Sequence, residues 1–142
     1  PEDKMLRAVT MSHLVAIRIK SKFGRLSALC GATVAGTGSA CAITYLLGGD
    51  YDAVCRAVPN MIGNVAGMLC DGAKADCALK ISSCVNAAFQ AAFMALRGVR
   101  VQNTDGIVET DPEYTIDNFA ELGNQGSGPL DAAILKMMLN KR

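Results

Sequence analysis

The side chains in this chain best suited to chemistry are thiols. Two of its six cysteines, Cys70 and Cys77, bracket the polar stretch Asp71-Gly72-Ala73-Lys74-Ala75-Asp76, which interrupts an otherwise apolar, helix-forming sequence. A third, Cys30, lies far upstream between Leu29 and Gly31. A free cysteine is ordinarily a small buried hydrophobe, and Cys41, Cys55 and Cys84 need no other reading. Two thiols around a polar, glycine-containing loop are poorly placed for core packing. Cys77 also falls where a helix is expected to begin, so exposed N–H groups and the helix dipole would favour its thiolate. Thiolates converging on one centre suit zinc or an iron–sulfur cluster. The chain has no closely spaced cysteine pair of the zinc-ribbon kind, and its single histidine, His13, is remote in sequence. Spacing alone leaves a metal centre and plain packing equally open.

Composition narrows what positions these residues. A chain of 142 residues with 51% hydrophobic content is long enough to bury a core as one domain. Aromatics make up 5% and Trp is absent, while glycine reaches 14 residues. That mixture favours closely packed helices over a sheet, which wants aromatic and β-branched residues. A net charge of +1 gives no electrostatic reason to expect nucleic acid or an anionic membrane as partner. No signal-peptide pattern opens the chain, so the cysteines read as reduced thiols in a cytoplasmic protein. The start at Pro1 fits a piece of something longer. Leu26 to Leu47 is uncharged and long enough to span a bilayer. Its Ala, Gly, Ser and Thr contribute little transfer energy, so a buried core helix is the better reading.

The expected fold is all-α: one helical domain over 1–142, a compact bundle of five to six helices around a buried Ala/Gly-rich central helix. The first helix runs from Asp3 to Lys22, with Leu6, Val9, His13, Ile17 and Lys20 near one another and Leu14, Val15 and Ile19 filling a broad apolar face. The second runs from Arg25 to Leu47. Its internal glycines, Gly31, Gly36 and Gly38, cost about 1 kcal/mol each against Ala, which close packing or room for a cofactor must offset. Asp50 caps a third helix through Ala57, Pro59 kinks or breaks it, and Asn60 to Leu69 can continue helical up to the Cys70 loop. Cys77 opens a fourth, Ala78 to Leu96, whose near absence of charge predicts burial on most sides. Asp111-Pro112 starts a fifth that ends at Gly123. Asn124 to Gly128 reads as a flexible loop before a short last helix from Pro129.

Gly24-Arg25-Leu26-Ser27-Ala28-Leu29-Cys30-Gly31, with Cys70-Asp71-Gly72-Ala73-Lys74 and Cys77-Ala78-Leu79-Lys80, resembles the carboxy-terminal half of the serine dehydratase α-chain family. The branch in question holds L-cysteine desulfidases, iron–sulfur L-serine dehydratases and uncharacterised bacterial members. The likeness covers nearly the whole chain, including Gly106-Ile107-Val108 and the Gly123-to-Gly126 stretch. It implies a lyase with a 4Fe–4S cluster held by Cys30, Cys70 and Cys77, without pyridoxal phosphate. The fourth iron, free of protein sulfur, would polarise the leaving group of L-serine or L-cysteine on the way to pyruvate and ammonia.

Two departures limit what this chain can do alone. In the family the base that takes the α-proton belongs to the amino-terminal half, which this chain lacks, so the catalytic base is unknown and the isolated piece is expected to be inactive. His13 reads as a helix residue at a polar edge. Some serine dehydratases also carry a terminal cysteine, whereas this chain ends Leu139-Asn140-Lys141-Arg142. Asn64, Lys74 and Lys80 are candidates for contacting the small amino-acid substrate or for orienting cluster ligands, and Asp71 reads as a helix-end residue. The amino-terminal half is the expected partner, and helix faces it leaves bare would drive homo-oligomer formation. No nucleic acid or membrane partner is expected. Against the enzyme stand a non-catalytic helical interaction module with buried cysteines and a structural zinc site.

Overall fold

Two aspartates set helix starts where the sequence places them. In the computed structural model, which describes residues 2–24 and 27–141, Asp50 Oδ1 accepts from the Ala53 amide at 2.8 Å and opens α3 (Tyr51–Val65). Asp111 Oδ1 accepts from the Glu113 amide at 2.8 Å and opens α5 (Pro112–Leu139), with Pro112 in its first turn. Both caps satisfy an amide that would otherwise be orphaned. The remaining helices are α1 (Glu2–Lys22), α2 (Gly31–Leu46) and α4 (Cys77–Leu96). The fold is all-α with five helices, and no strand occurs among the described residues.

The central helix is α2, which packs against α1, α3 and α4. Nine of its residues are buried, among them Val34, Gly36, Gly38, Ala40 and Cys41. Close packing accounts for two of its glycines. A β-carbon on Gly38 would sit 2.2 Å from the Ser12 carbonyl oxygen of α1, and one on Gly36 would meet Met61 and Cys84. Gly31 has open space around it. The helix begins later than the sequence suggested. Arg25 and Leu26, where it was expected to start, lie outside the described residues, and Cys30 has extended backbone at the N-cap position.

At Pro59 the structure takes the continuing alternative, and three expectations need correction. Pro59 does not end α3, which continues to Val65. Pro59 is buried, and next to it Asn60 donates to Ala91 O and Val99 O and accepts from the Val101 amide. Tertiary bonds therefore hold the helix across the gap that proline leaves in its own ladder. The apolar face assigned to α1 is largely outward: Leu6 and Ile17 are 65% and 62% exposed, while Ala8 and Ile19 are buried. Likewise α4 is not buried on most sides. Cys84, Ala87, Ala88, Ala91, Ala92 and Ala95 face inward, and Leu79, Ile81, Val85, Phe89 and Phe93 are exposed. Small residues won the interior because close helix approach needs them. By length and composition α4 is also the one helix among the described residues long and apolar enough to cross a membrane.

The last correction concerns the carboxy-terminal segment. The loop expected at Asn124–Gly128 and the separate helix from Pro129 are parts of one continuous α5. Of its glycines, Gly123 serves contact. A β-carbon on Gly123 would press on Leu29 and Ser27 at 3.3 Å. One turn on, Ser127 Oγ accepts from the Ala28 amide at 3.0 Å and lies 3.1 Å from Ser27 Oγ. The segment leading to Cys30 is thus strapped to α5.

Candidate metal centre

Cys30 and Cys70 are brought together by an isolated antiparallel bridge between Leu29 and Leu69. The Cys30 amide donates to Met68 O at 2.9 Å and the Cys70 amide to Ala28 O at 2.7 Å. Side chains alternate across such a pair, so Cys30 and Cys70 project on the face opposite the two leucines. They occupy diagonal positions, which ordinarily stand about 7–8 Å apart. Residues distant in sequence thus meet through backbone bonds that need no particular side chain.

Cys77 is the first residue of α4, and its thiol donates to Gly72 O at 3.8 Å across the loop. Cys30 is the N-cap of α2. Gly36 of α2 faces Cys84 of α4, and Cys30 is near enough to Lys80 and Cys84 for its charge to act on both. The two helices therefore run side by side from a common end, with both positive dipole ends at the cysteine loop. The free N–H groups expected at Cys77 are absent. Its amide donates to Lys74 O, that of Ala78 to Ala75 O, and those of Leu79 and Lys80 to Asp76 O. The dipole remains, but the donors are spent.

All six cysteines are free thiols. Cys30 is buried, while Cys70 and Cys77 are half-buried. Cys41 is fully buried, and burial pushes its thiol up to about 12. Cys84 is buried 3.7 Å from Met68 Sδ, its thiol raised first by burial and then by the nearby Cys30. The packing reading holds for both. Cys55 is half-buried.

The loop is held by an ion cluster. Lys80 Nζ donates to Leu69 O at 2.9 Å and Asp71 Oδ1 at 2.7 Å, and Lys74 pairs with Asp71 Oδ2. Hydrogen bonds from the two ammonium groups, Lys74 first, hold the Asp71 carboxyl well below the usual carboxylate range. Asp71, read from sequence as a helix-end residue, is the hub of this cluster. Both candidate substrate lysines spend their charge on it. Asn64 is exposed in the last turn of α3, and His13 is exposed on α1. Sequence reasoning passed over Ser127, the Leu29–Leu69 bridge and Asn60. Nothing local marks them, since each acts through a partner far along the chain.

Among the described residues, no three side chains of His, Cys, Asp or Glu gather tightly enough to hold a single metal ion. A four-iron cube takes one thiolate at each of three irons, so its ligands stand wider apart than those of one ion. The three candidates are all thiols, the donor chemistry such a group takes, and two of them stand diagonal across a bridge. A cavity of about 380 Å³ lies beside the loop, walled by Leu69, Asp71, Lys74, Lys80 and the end of α5. A larger cavity, about 960 Å³, is elsewhere, between α1, α3 and the start of α5, and none of Cys30, Cys70 and Cys77 lines it.

A helical domain with paired thiols at the shared end of two helices defines a class of candidate metal-binding protein. More particularly, the chain belongs to the serine dehydratase alpha chain family, whose model matches residues 1–136. It is 48% identical over 141 residues to a UPF0597 protein of Phocaeicola vulgatus, covering 99% of this chain and 33% of that protein. A UPF0597 protein of Oleidesulfovibrio alaskensis is 47% identical over 141 residues with the same coverage. One from Shewanella pealeana is 50% identical over 140 residues, covering 99% of this chain and 32% of that protein. The chain thus spans about a third of the length of these relatives. No solved structure matches it.

Proposed function

We propose that this chain is the cluster-bearing, carboxy-terminal domain of a longer cytoplasmic lyase that eliminates the β-substituent of L-cysteine or L-serine. The observation that carries the reading is the meeting of Cys30 and Cys70 across the Leu29–Leu69 bridge in a member of the serine dehydratase alpha chain family. Cys30, Cys70 and Cys77 are the residues that would hold a 4Fe–4S cluster. Bound there, the cluster supplies an iron without protein sulfur that polarises the β-hydroxyl or β-thiol.

The chain's own contribution is electrostatic and steric. The amino-terminal ends of α2 and α4 and the ammonium of Lys80 place positive charge where thiolates collect. In the reaction the α-proton leaves as a proton and the β C–O or C–S bond breaks with its electron pair. Aminoacrylate then hydrolyses to pyruvate and ammonia, with water or sulfide as the other product. A base for the α-proton is not among the residues at the loop. Asp71 adjoins Cys70, but two ammonium groups hold its carboxylate at low basicity, the wrong direction for a general base, and Asp76 beside Cys77 faces Lys74 at 3.9 Å. The base therefore comes from the remainder of a polypeptide of the relatives' length. That remainder covers the exposed apolar faces of α1 and α4, and this chain alone is inactive.

The test is anaerobic reconstitution with iron and sulfide, followed by visible spectroscopy. Wild type and Cys41→Ser should show the broad iron–sulfur absorption, and Cys30→Ser, Cys70→Ser and Cys77→Ser should each lose it. A spectrum unchanged by any one of these three variants removes that cysteine from the set. No absorption in the longest polypeptide the gene encodes would end the cluster reading.

A further inference from the structure

We propose that Lys80 is the positioning residue of the cysteine site, fixing Cys70 relative to Cys77. This rests on the reading of Cys30, Cys70 and Cys77 as ligands. Leu69 and Asp71 are the two neighbours of Cys70, and the Lys80 ammonium donates to both, at 2.9 Å and 2.7 Å. One cation thus closes a ring around the cysteine without touching its sulfur. Lys80 is rooted in α4 three residues after Cys77, about one helical turn away. The loop that carries Cys70 is therefore tied to the helix that carries Cys77 through one side chain.

The same junction reaches the third thiol. Leu69 gives its carbonyl to Lys80, while its neighbours Met68 and Cys70 bond the segment Ala28–Cys30. Displacing Leu69 would shift Cys70 and the register of Cys30 together. Lys74 does not duplicate this role. It also reaches Asp71 and, at 3.9 Å, Asp76 at the N-cap of α4, but it lies inside the loop and gives Leu69 no bond, so it stiffens the loop without holding both neighbours of Cys70. Lys80 is the less exposed of the two, 22% against 38%. Its charge stays beside the site when thiolates form, which strengthens its hydrogen bonds and offsets the negative charge they bring. Lys80 thus acts through the loop, in place of the substrate contact its position in the sequence suggested.

The test compares wild type with Lys80→Met, Lys80→Arg and Lys74→Met in the longest polypeptide the gene encodes. In the metal-free protein, amide hydrogen exchange at Cys30 and Cys70 should quicken about tenfold in Lys80→Met, the loss expected for bonds to a charged donor. Amides of α2 and α3 should keep their protection, Lys80→Arg should return most of the effect, and Lys74→Met should change less. On anaerobic reconstitution Lys80→Met should bind less iron and shift the visible spectrum, with Arg again restoring both. Wild-type exchange and iron loading in Lys80→Met would overturn the proposal. If Lys80→Met loses core protection, Lys80→Gln keeps a donor without the charge, and wild-type behaviour there overturns it equally. A wild-type protein that takes no iron removes the ligand reading, while the exchange experiment still decides the positioning role.

Discussion

Asp71 shows how far a single side chain can depart from its sequence reading. Lys74 reaches it from within the loop, but Lys80 does so only because α4 folds back over Leu69, a contact no local pattern announces. Its depressed carboxyl links loop stability to pH with a definite sign. The contribution is fully present above the unfolded carboxyl value, near 3.9, and is lost as pH falls through the lower folded value. The stability difference between wild type and Asp71→Asn, followed by denaturant titration, should therefore be constant above about pH 5 and shrink in stronger acid. At this scale the polar loop and its two cysteines were legible, since charge and glycine stand out against apolar flanks. Its meeting with Cys30 rests on backbone pairing and was not.

Helices were legible where caps and breakers act locally. Asp50 and Asp111 do so, and both starts were read correctly. Pro59 and Pro129 are breakers that tertiary contact overrides, so neither ends its helix. The glycines of α2 separate two physical roles. Gly38→Ala should destabilise by about 1–3 kcal/mol, because the Ser12 backbone cannot yield to a new methyl. Gly31→Ala meets open space and should stabilise by about 0.4–1 kcal/mol. Denaturant midpoints of the two variants check both signs. Asn60→Ala removes the side chain that bonds Val99 O, the Val101 amide and, beside its helical partner, Ala91 O, and should cost on the order of 2–4 kcal/mol, seen in the same measurement.

For the molecule as a whole, composition announced helices but not which faces meet. Alanine lines the interior of α4 while its two phenylalanines lie outside, only 6.2 Å apart. A hydrophobicity pattern favours the larger residues, whereas close packing selects the smaller. This outward apolar surface should make the chain self-associate when expressed alone. Replacing Phe89 and Phe93 by Ser should lower its sedimentation coefficient toward that of a monomer without lowering helix content by circular dichroism.

One consequence follows from the unbroken run of α5. A helix of 28 residues at 1.5 Å each is a rod of about 42 Å. One end is pinned to α1 by Glu113 on Arg18, and Met138 near the other shares the wall of one cavity with Leu69 and Asp71 of the cysteine loop. Pro129 removes one rung of the ladder inside that rod, with Gly126 and Gly128 alongside. The rod therefore has a built-in fracture point, and its far segment can melt while its anchored segment stays folded. Each such opening removes the α5 wall of the cavity beside the cysteine loop, so the lifetime of those last turns meters how long that cavity stays enclosed.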